Sequence, residues 1–318
     1  MSEIPADGAL IETSDGHHRR RHALLRPGTA LPFLLVAVIW GSTWFVIKDQ
    51  LAAAPPSWSV TYRFAIATVA MALLAWRMDG SLAMNRSGHL VALMLGLAQF
   101  CGNFNFVYRA EAHITSGVVA VMFGLLMVPN SILGRIFLGI RVGGRFVIGT
   151  LVAIAGVALL LAHEARMMPA GSSLALGAVL TVGGILSASS ANVLQATEKA
   201  QAQKLLVLLA WAMGYGTLID AGIALWASGA PVFPADFRYW AGVSYLALIG
   251  SVVTFPLYFR LIRELGPGRA AYNGVMVPVV AMLISTMLEG YRWSPLAVGG
   301  VTLALAGMVV VLRGRQID

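Results

Sequence analysis

Apolar residues run along this chain in long blocks, and ten of them approach or exceed the roughly 20 residues that a helix needs to cross a hydrocarbon core about 30 Å thick. They cover 30–48, 57–77, 88–108, 112–138, 142–162, 173–197, 203–228, 236–261, 267–289 and 294–313. The connections are short, so no soluble domain fits between them. The pattern predicts an all-α polytopic membrane protein. Residues 1–29 differ: acids, Gly and Pro surround His17-His18-Arg19-Arg20-Arg21-His22, which predicts a disordered cytoplasmic tail able to touch anionic lipid. Those arginines, the apolar run from Ala30 and Ala52-Ala53-Ala54 imitate a cleavable leader. The run is nevertheless long enough to span, Lys48-Asp49 separates it from the alanines, and Pro55 follows. It is read as the first span.

The blocks also repeat. The end of segment 30–162, IGTLVAIAGVALLL (148–161), lies over the end of segment 173–313, GGVTLALAGMVVVL (299–312). Gly149/Gly300, Ala153/Ala304, Ala155/Ala306, Gly156/Gly307 and Leu161/Leu312 coincide. Upstream, Tyr108-Arg109 precedes an apolar run holding Pro129, and Tyr258-Phe259-Arg260 precedes one holding Pro278. Two copies of a five-span unit must sit in opposite orientations, because five is odd. The expectation is ten transmembrane helices as two inverted five-helix repeats, an arrangement typical of transporters.

Composition agrees. With 58% hydrophobic residues, 11% charged and a mean hydropathy of +0.78, there is too little polar surface for a soluble globule. The net charge of +8 invites a nucleic-acid reading, but its distribution argues against one. With residue 1 in the cytoplasm, sixteen Lys and Arg fall in inner segments and five outside: Lys48, Arg109, Arg166, Arg238 and Arg292. That asymmetry predicts both termini in the cytoplasm of a bacterial-type inner membrane. Cys101 is the single cysteine, so no intramolecular disulfide and no Cys-based metal site is expected. No cofactor or metal is expected, and the partners are the lipid bilayer and a small molecule. Oligomeric state is not readable from the pattern; a monomer is compatible with it.

Polar side chains are expensive in hydrocarbon and usually face a bundle interior or wet cavity, so they map candidate function. The first span carries Trp40-Gly41-Ser42-Thr43-Trp44 and the second Tyr62-Arg63. In the third, Gln99, Gly102, Asn103 and Phe106 follow i, i+3, i+4, i+7 spacing, which predicts one helical face. Later spans supply Asn192, Tyr258 and Tyr272-Asn273. Trp58, Trp76, Trp240 and Trp293 sit near span ends and read as interfacial belt residues, whereas Trp40 and Trp44 lie inside a span, four apart. Arg63 has no acid within helical reach; it could snorkel, bond another helix or meet a substrate carboxylate. Asp220 is the one acid well inside a span, either a coupling proton site or a structural partner. Pro129 and Pro278, each removing a backbone hydrogen bond mid-span, are candidate gating elements.

Trp40 to Phe45 through Lys48, Tyr62-Arg63-Phe64, Pro129 and Pro278 together resemble the EamA-type drug/metabolite transporters, over essentially residues 30–313. The resemblance implies ten spans in an inverted five-span repeat and transport of metabolites without ATP hydrolysis. Asn273 to Trp293 looks particularly like the bacterial aromatic amino acid exporters of that family. Two features depart from it: Leu138-Gly139-Ile140-Arg141 stands where a Gly-Glu pair is common, and Glu289 precedes Gly290 in reversed order.

The functional expectation is a secondary exporter of small metabolites, aromatic or bulky apolar amino acids foremost, working by alternating access. Its substrate-binding candidates are Trp40, Ser42, Trp44, Arg63, Gln99, Asn103, Asn192, Tyr258, Tyr272 and Asn273. The alternatives are a multidrug or organic-cation exporter using Asp220, and a channel. An organic-phosphate antiporter would want clustered buried cations, and only Arg63 is available. A membrane-embedded enzyme is not expected. No Gly-x-Ser-Gly nucleophile, paired membrane acids, metal-binding His or Cys pair, or Walker A sequence occurs, and the His residues at 89, 113 and 163 only flank spans.

Overall fold

A computed structural model of the chain describes residues 27–139, 143–167, 173–265 and 273–314. Everything regular in them is helical, with no strand among the described residues. Helix α1 is Pro27–Gln50 and α2 is Pro56–Asp79. The prolines at 55 and 56 open α2, since a first-turn residue has no helical use for its missing N–H. Gly80, at φ 74°, closes it, returning its N–H to the carbonyl of Trp76. Helix α3, Arg86–Glu111, begins at Asn85, whose side chain accepts the Gly88 N–H at 2.7 Å. Next come α4 (Ser116–Leu138), α5 (Gly144–Met167), α6 (Leu174–Gln195), a single turn Glu198–Gln201 and α7 (Leu205–Ser228). Helices α8 (Phe237–Leu261), α9 (Asn273–Leu288) and α10 (Pro295–Gly314) complete the described chain.

Eight of these helices, α1 to α8, are long and apolar enough to cross a membrane. Two more, α9 and the apolar part of α10 (Pro295–Val311), are shorter. The sixteen described residues of α9 reach only about 24 Å at 1.5 Å per residue. Of the expected disordered tail, 1–29, residues 1–26 lie outside the described residues, as do Ile140-Arg141 and Tyr272, while residues 27–29 are already the first turn of α1, opened by Pro27.

Three helices depart locally from α geometry in a way the apolar pattern does not announce. Gly96–Asn103 within α3 and Leu248–Val253 within α8 are π-helical, and a 3₁₀ turn at Gly124–Leu126 precedes Pro129 in α4. Such insertions widen or tighten one turn and re-aim the side chains there.

Packing divides into two apolar cores. One gathers α2, α3, α7 and α8 around Phe64, Phe100, Leu208 and Phe255; the other gathers α4, α5, α9 and α10 around Val118, Leu160, Met282 and Met308. Trp44 and Phe123 pack against both. The closest helix pair is α5 with α10, run antiparallel so that Gly149 lies against Gly307 and Gly156 against Gly300. An added Cβ at Gly300 would meet the Leu160 nitrogen at 2.8 Å, and at Gly156 it would collide with the Ala304 backbone. These glycines are there for backbone approach, which gives dispersion contact without side-chain entropy.

Candidate functional site

Where the two cores meet, the helices leave a cavity of about 130 Å³, far above what one water needs. Its walls come from α1 (Trp40, Thr43, Trp44, Ile47), α2 (Arg63), α3 (Gln99, Asn103, Phe104, Val107), α4, α6 (Asn192), α8 (Phe255, Tyr258) and α9 (Asn273, Val277, Pro278).

Trp40 and Trp44 are one turn apart on α1 and face different partners. The Trp40 ring meets Tyr258 at 4.8 Å and Phe255 at 5.5 Å, and its indole N–H donates to the Gly250 carbonyl at 3.3 Å. The Trp44 ring meets Phe123 at 5.0 Å, while its indole N–H has no partner. The cavity therefore has two aromatic walls, one built on α8 and one on α4. That Gly250 carbonyl lies within the π-helical stretch of α8.

The π-helical stretch of α3 divides the face expected to hold Gln99, Gly102, Asn103 and Phe106. Gln99 and Asn103 turn into the cavity; Gly102 and Phe106 turn to α6, at Ser187 and Gly183. A wider i→i+5 turn shifts the register, and regular helical spacing cannot anticipate that. The side-chain oxygens of Asn103 and Asn273 are both buried without a hydrogen-bond donor, although the Asn273 amide reaches the Phe33 carbonyl at 3.4 Å. Asn192 donates to Asn130 on α4 at 3.5 Å.

Arg63 does not snorkel. It is 1% exposed, and its guanidinium lies over the Phe104 ring at 4.2 Å. Nε and Nη2 donate to the Ser251 hydroxyl at 3.3 and 3.2 Å, linking α2 to the π-helical part of α8, and Nη1 has no partner. Among the described residues no carboxylate makes an ion pair with it, and none lines the cavity. A buried cation with one unpaired donor group in a carboxylate-free pocket has donor capacity left for an anionic group.

Other expected site residues lie elsewhere. Ser42 is turned away from the cavity, its hydroxyl on the Tyr245 phenol at 2.6 Å. Pro129 does not line the cavity, while Pro278 does. Asp220 is fully buried on α7 and outside the cavity. It accepts from the Asn105 amide at 2.6 Å, and Asn105 in turn accepts from Arg109 at 2.7 Å. Tyr272 is outside the described residues. Phe104, Phe123 and Phe255 build the aromatic walls yet carry no signal in the sequence, where an intramembrane Phe reads equally as packing or lipid contact.

The chain matches the model of the EamA-like transporter family twice, over residues 29–162 and 170–313. It is 25% identical over 289 residues to the uncharacterized inner membrane transporter YedA of Escherichia coli K12, covering 88% of this chain and 89% of that one. It is 24% identical over 293 residues to a probable terminal-alkyne amino-acid exporter of Streptantibioticus cattleyicolor, covering 88% and 92%. A solved crystal structure superposes with a TM-score of 0.66 at 17% identity, covering 91% of this chain and 98% of that one, which is a likeness of fold.

Proposed function

Because the chain belongs to the EamA-like transporter family, we propose that it is a secondary exporter of amino acids with aromatic or bulky apolar side chains. One observation carries the reading: a fully buried guanidinium with a free Nη1 faces a carboxylate-free cavity between two aromatic walls. A substrate carboxylate would take Arg63, its ammonium would take the unpaired oxygens of Asn103 and Asn273, and its side chain would lie against Trp40, Trp44 and Tyr258. Each pairing offsets desolvation that the zwitterion would otherwise suffer on leaving water. A relative described as a probable terminal-alkyne amino-acid exporter supports amino acids as the substrate class. The cation-exporter reading lacks the carboxylate it needs, since Asp220 is held by Asn105 outside the cavity.

For the motion we propose ten helices in two inverted five-helix repeats that rock about the cavity. Three features support it. The π-helical stretches at Gly96–Asn103 and Leu248–Val253 lie about 150 residues apart in the third helix of each proposed copy. Pro129 and Pro278 are similarly spaced. The α5–α10 contact is reciprocal, Gly149 on Gly307 and Gly156 on Gly300, as a pseudo-two-fold axis between matched helices would make it. Flux of labelled tryptophan or phenylalanine into liposomes holding the purified protein tests the function. No flux of these or other amino acids would refute it.

A further inference from the structure

A second cavity opens at the end of the bundle where α1 finishes. It is larger, about 530 Å³, and more polar than the first, with Lys48, Thr115, Glu164, Glu289, Tyr291 and Arg292 among its walls. It is built on helices that also wall the central cavity. On α1, Ile47 lines the central cavity and Lys48 the outer one; on α3 and α4, Val107 and Ala120 line the first, Ala112 and Thr115 the second. On α9, Pro278 and Glu289 stand about three turns apart, one in each. Between the cavities the Lys48 ammonium donates to the backbone carbonyls of Glu111 and Ile114, tying α1 to the α3–α4 turn.

The polar groups here are under-used. Tyr291 is 9% exposed and its hydroxyl has no partner. Burial, with Glu164 nearby, pushes that phenol above its ordinary range, so it stays a neutral O–H. Glu289 receives Ser285 on one oxygen and leaves the other unpaired; Glu164 receives Thr115 on one oxygen. Behind them Glu111 is fully buried with neither carboxylate oxygen bonded. Two acids on the wall, Glu164 and Glu289, leave acceptors that want several donors at once, and a primary ammonium brings three. Of the basic groups on the same wall, Lys48 is spent on backbone carbonyls and the His163 ring on the Arg292 carbonyl and the Ser294 hydroxyl, while Arg292 and His113 also line the space. Among the described residues no group of three or more His, Cys, Asp and Glu is placed to hold a metal ion, and a primary ammonium fits the unpaired acceptors.

We propose that this outer cavity is a second binding site on the substrate's path, which holds the ammonium group of an amino acid between Glu164, Glu289 and the Tyr291 hydroxyl. The proposal rests on the amino-acid reading of the central cavity. The Lys48 tether is then the partition that a substrate crosses between the two stations.

Equilibrium binding of radiolabelled tryptophan to the purified full-length protein tests both. Two equivalents are expected for the wild type. The pair E164Q/E289Q should lose one of them, and Y291F, which removes only the hydroxyl and preserves the ring packing, should weaken that same one about tenfold. N103A should lose the other. A single equivalent that N103A removes and neither outer variant weakens overturns the second site and leaves the central reading standing. A single equivalent that the outer variants remove and N103A spares supports the outer site and overturns the central one. No binding of tryptophan or any other amino acid overturns both. Melting temperatures of the variants close to wild type show that the lost equivalent is a lost site and not lost fold.

Discussion

At Arg63 the proposed binding role and a structural role predict different outcomes. Its guanidinium has a serine hydroxyl and two rings for company and no carboxylate in ion-pair contact, while the buried Glu111 carboxyl lies within reach of its charge. Arg63→Met keeps the stem packed on Phe104; its melting temperature is expected to stay close to wild type, the lost field at Glu111 being its main cost. Tryptophan flux should fall about 10- to 100-fold through KM, the scale of one charge-assisted hydrogen bond at roughly 1.5–3 kcal/mol. A melting temperature that drops sharply, with flux per folded molecule unchanged, would make Arg63 structural. Asp220 is the opposite case. Its carboxylate holds Asn105, which holds Arg109, which also reaches Ser57 at 2.7 Å. Asp220→Ala should cost about 1–3 kcal/mol by leaving that chain unpaired, yet leave the flux of folded protein within about twofold. Loss of flux at unchanged stability would restore a coupling role. From the sequence these two residues look alike, each a lone charge in a span. What divides them is whether the partner is fixed, and partners 115 or 188 residues away are invisible to local spacing.

At the scale of helices, the apolar blocks located nearly every element, because a membrane helix must satisfy its backbone internally and so runs unbroken through the apolar stretch. The π-helical turns were not legible. Nothing in Gly96-Leu97-Ala98-Gln99 marks an extra residue, and the consequence is the divided face of α3, with Phe106 on the α6 side. The repeated glycines were legible as small residues, but only the structure pairs them across α5 and α10. That pairing predicts an asymmetric glycine scan. Gly156→Ala and Gly307→Ala should each lower stability by about 1–3 kcal/mol, since the methyl meets backbone that cannot swing aside. Gly299→Ala, on the same α10 with open space beside it, should be neutral or stabilise by up to about 1 kcal/mol through helix propensity. Thermal midpoints in one detergent decide it, and equal losses at all three positions would remove the case for a close α5–α10 seam.

Across the whole molecule the sorting of charges becomes spatial. Asp79 and Lys204 approach at 3.9 Å at one end of the bundle, joining the α2–α3 connection to the start of α7. Asp49 and Arg238 pair at 3.1 Å at the other, where α1 ends and α8 begins. The few cations counted as outer, Lys48, Arg109, Arg166, Arg238 and Arg292, all belong to that second end, and the outer cavity lies among them. If the positive-inside bias governs insertion, the end with Asp79 and Lys204 faces the cytoplasm. Cys101, the single native cysteine, is buried, so a Cys101→Ala background leaves a blank surface. Single cysteines at Ala83 and Ala235, both exposed and in connections at opposite ends, should then report sidedness to a membrane-impermeant maleimide. Ala235→Cys is expected to label in intact cells and Ala83→Cys only after the membrane is opened. The reverse pattern would invert the molecule. Labelling of both from one side would mean that the helices between them cross the membrane an even number of times, which an antiparallel α2, α7 and α8 with tied ends does not permit.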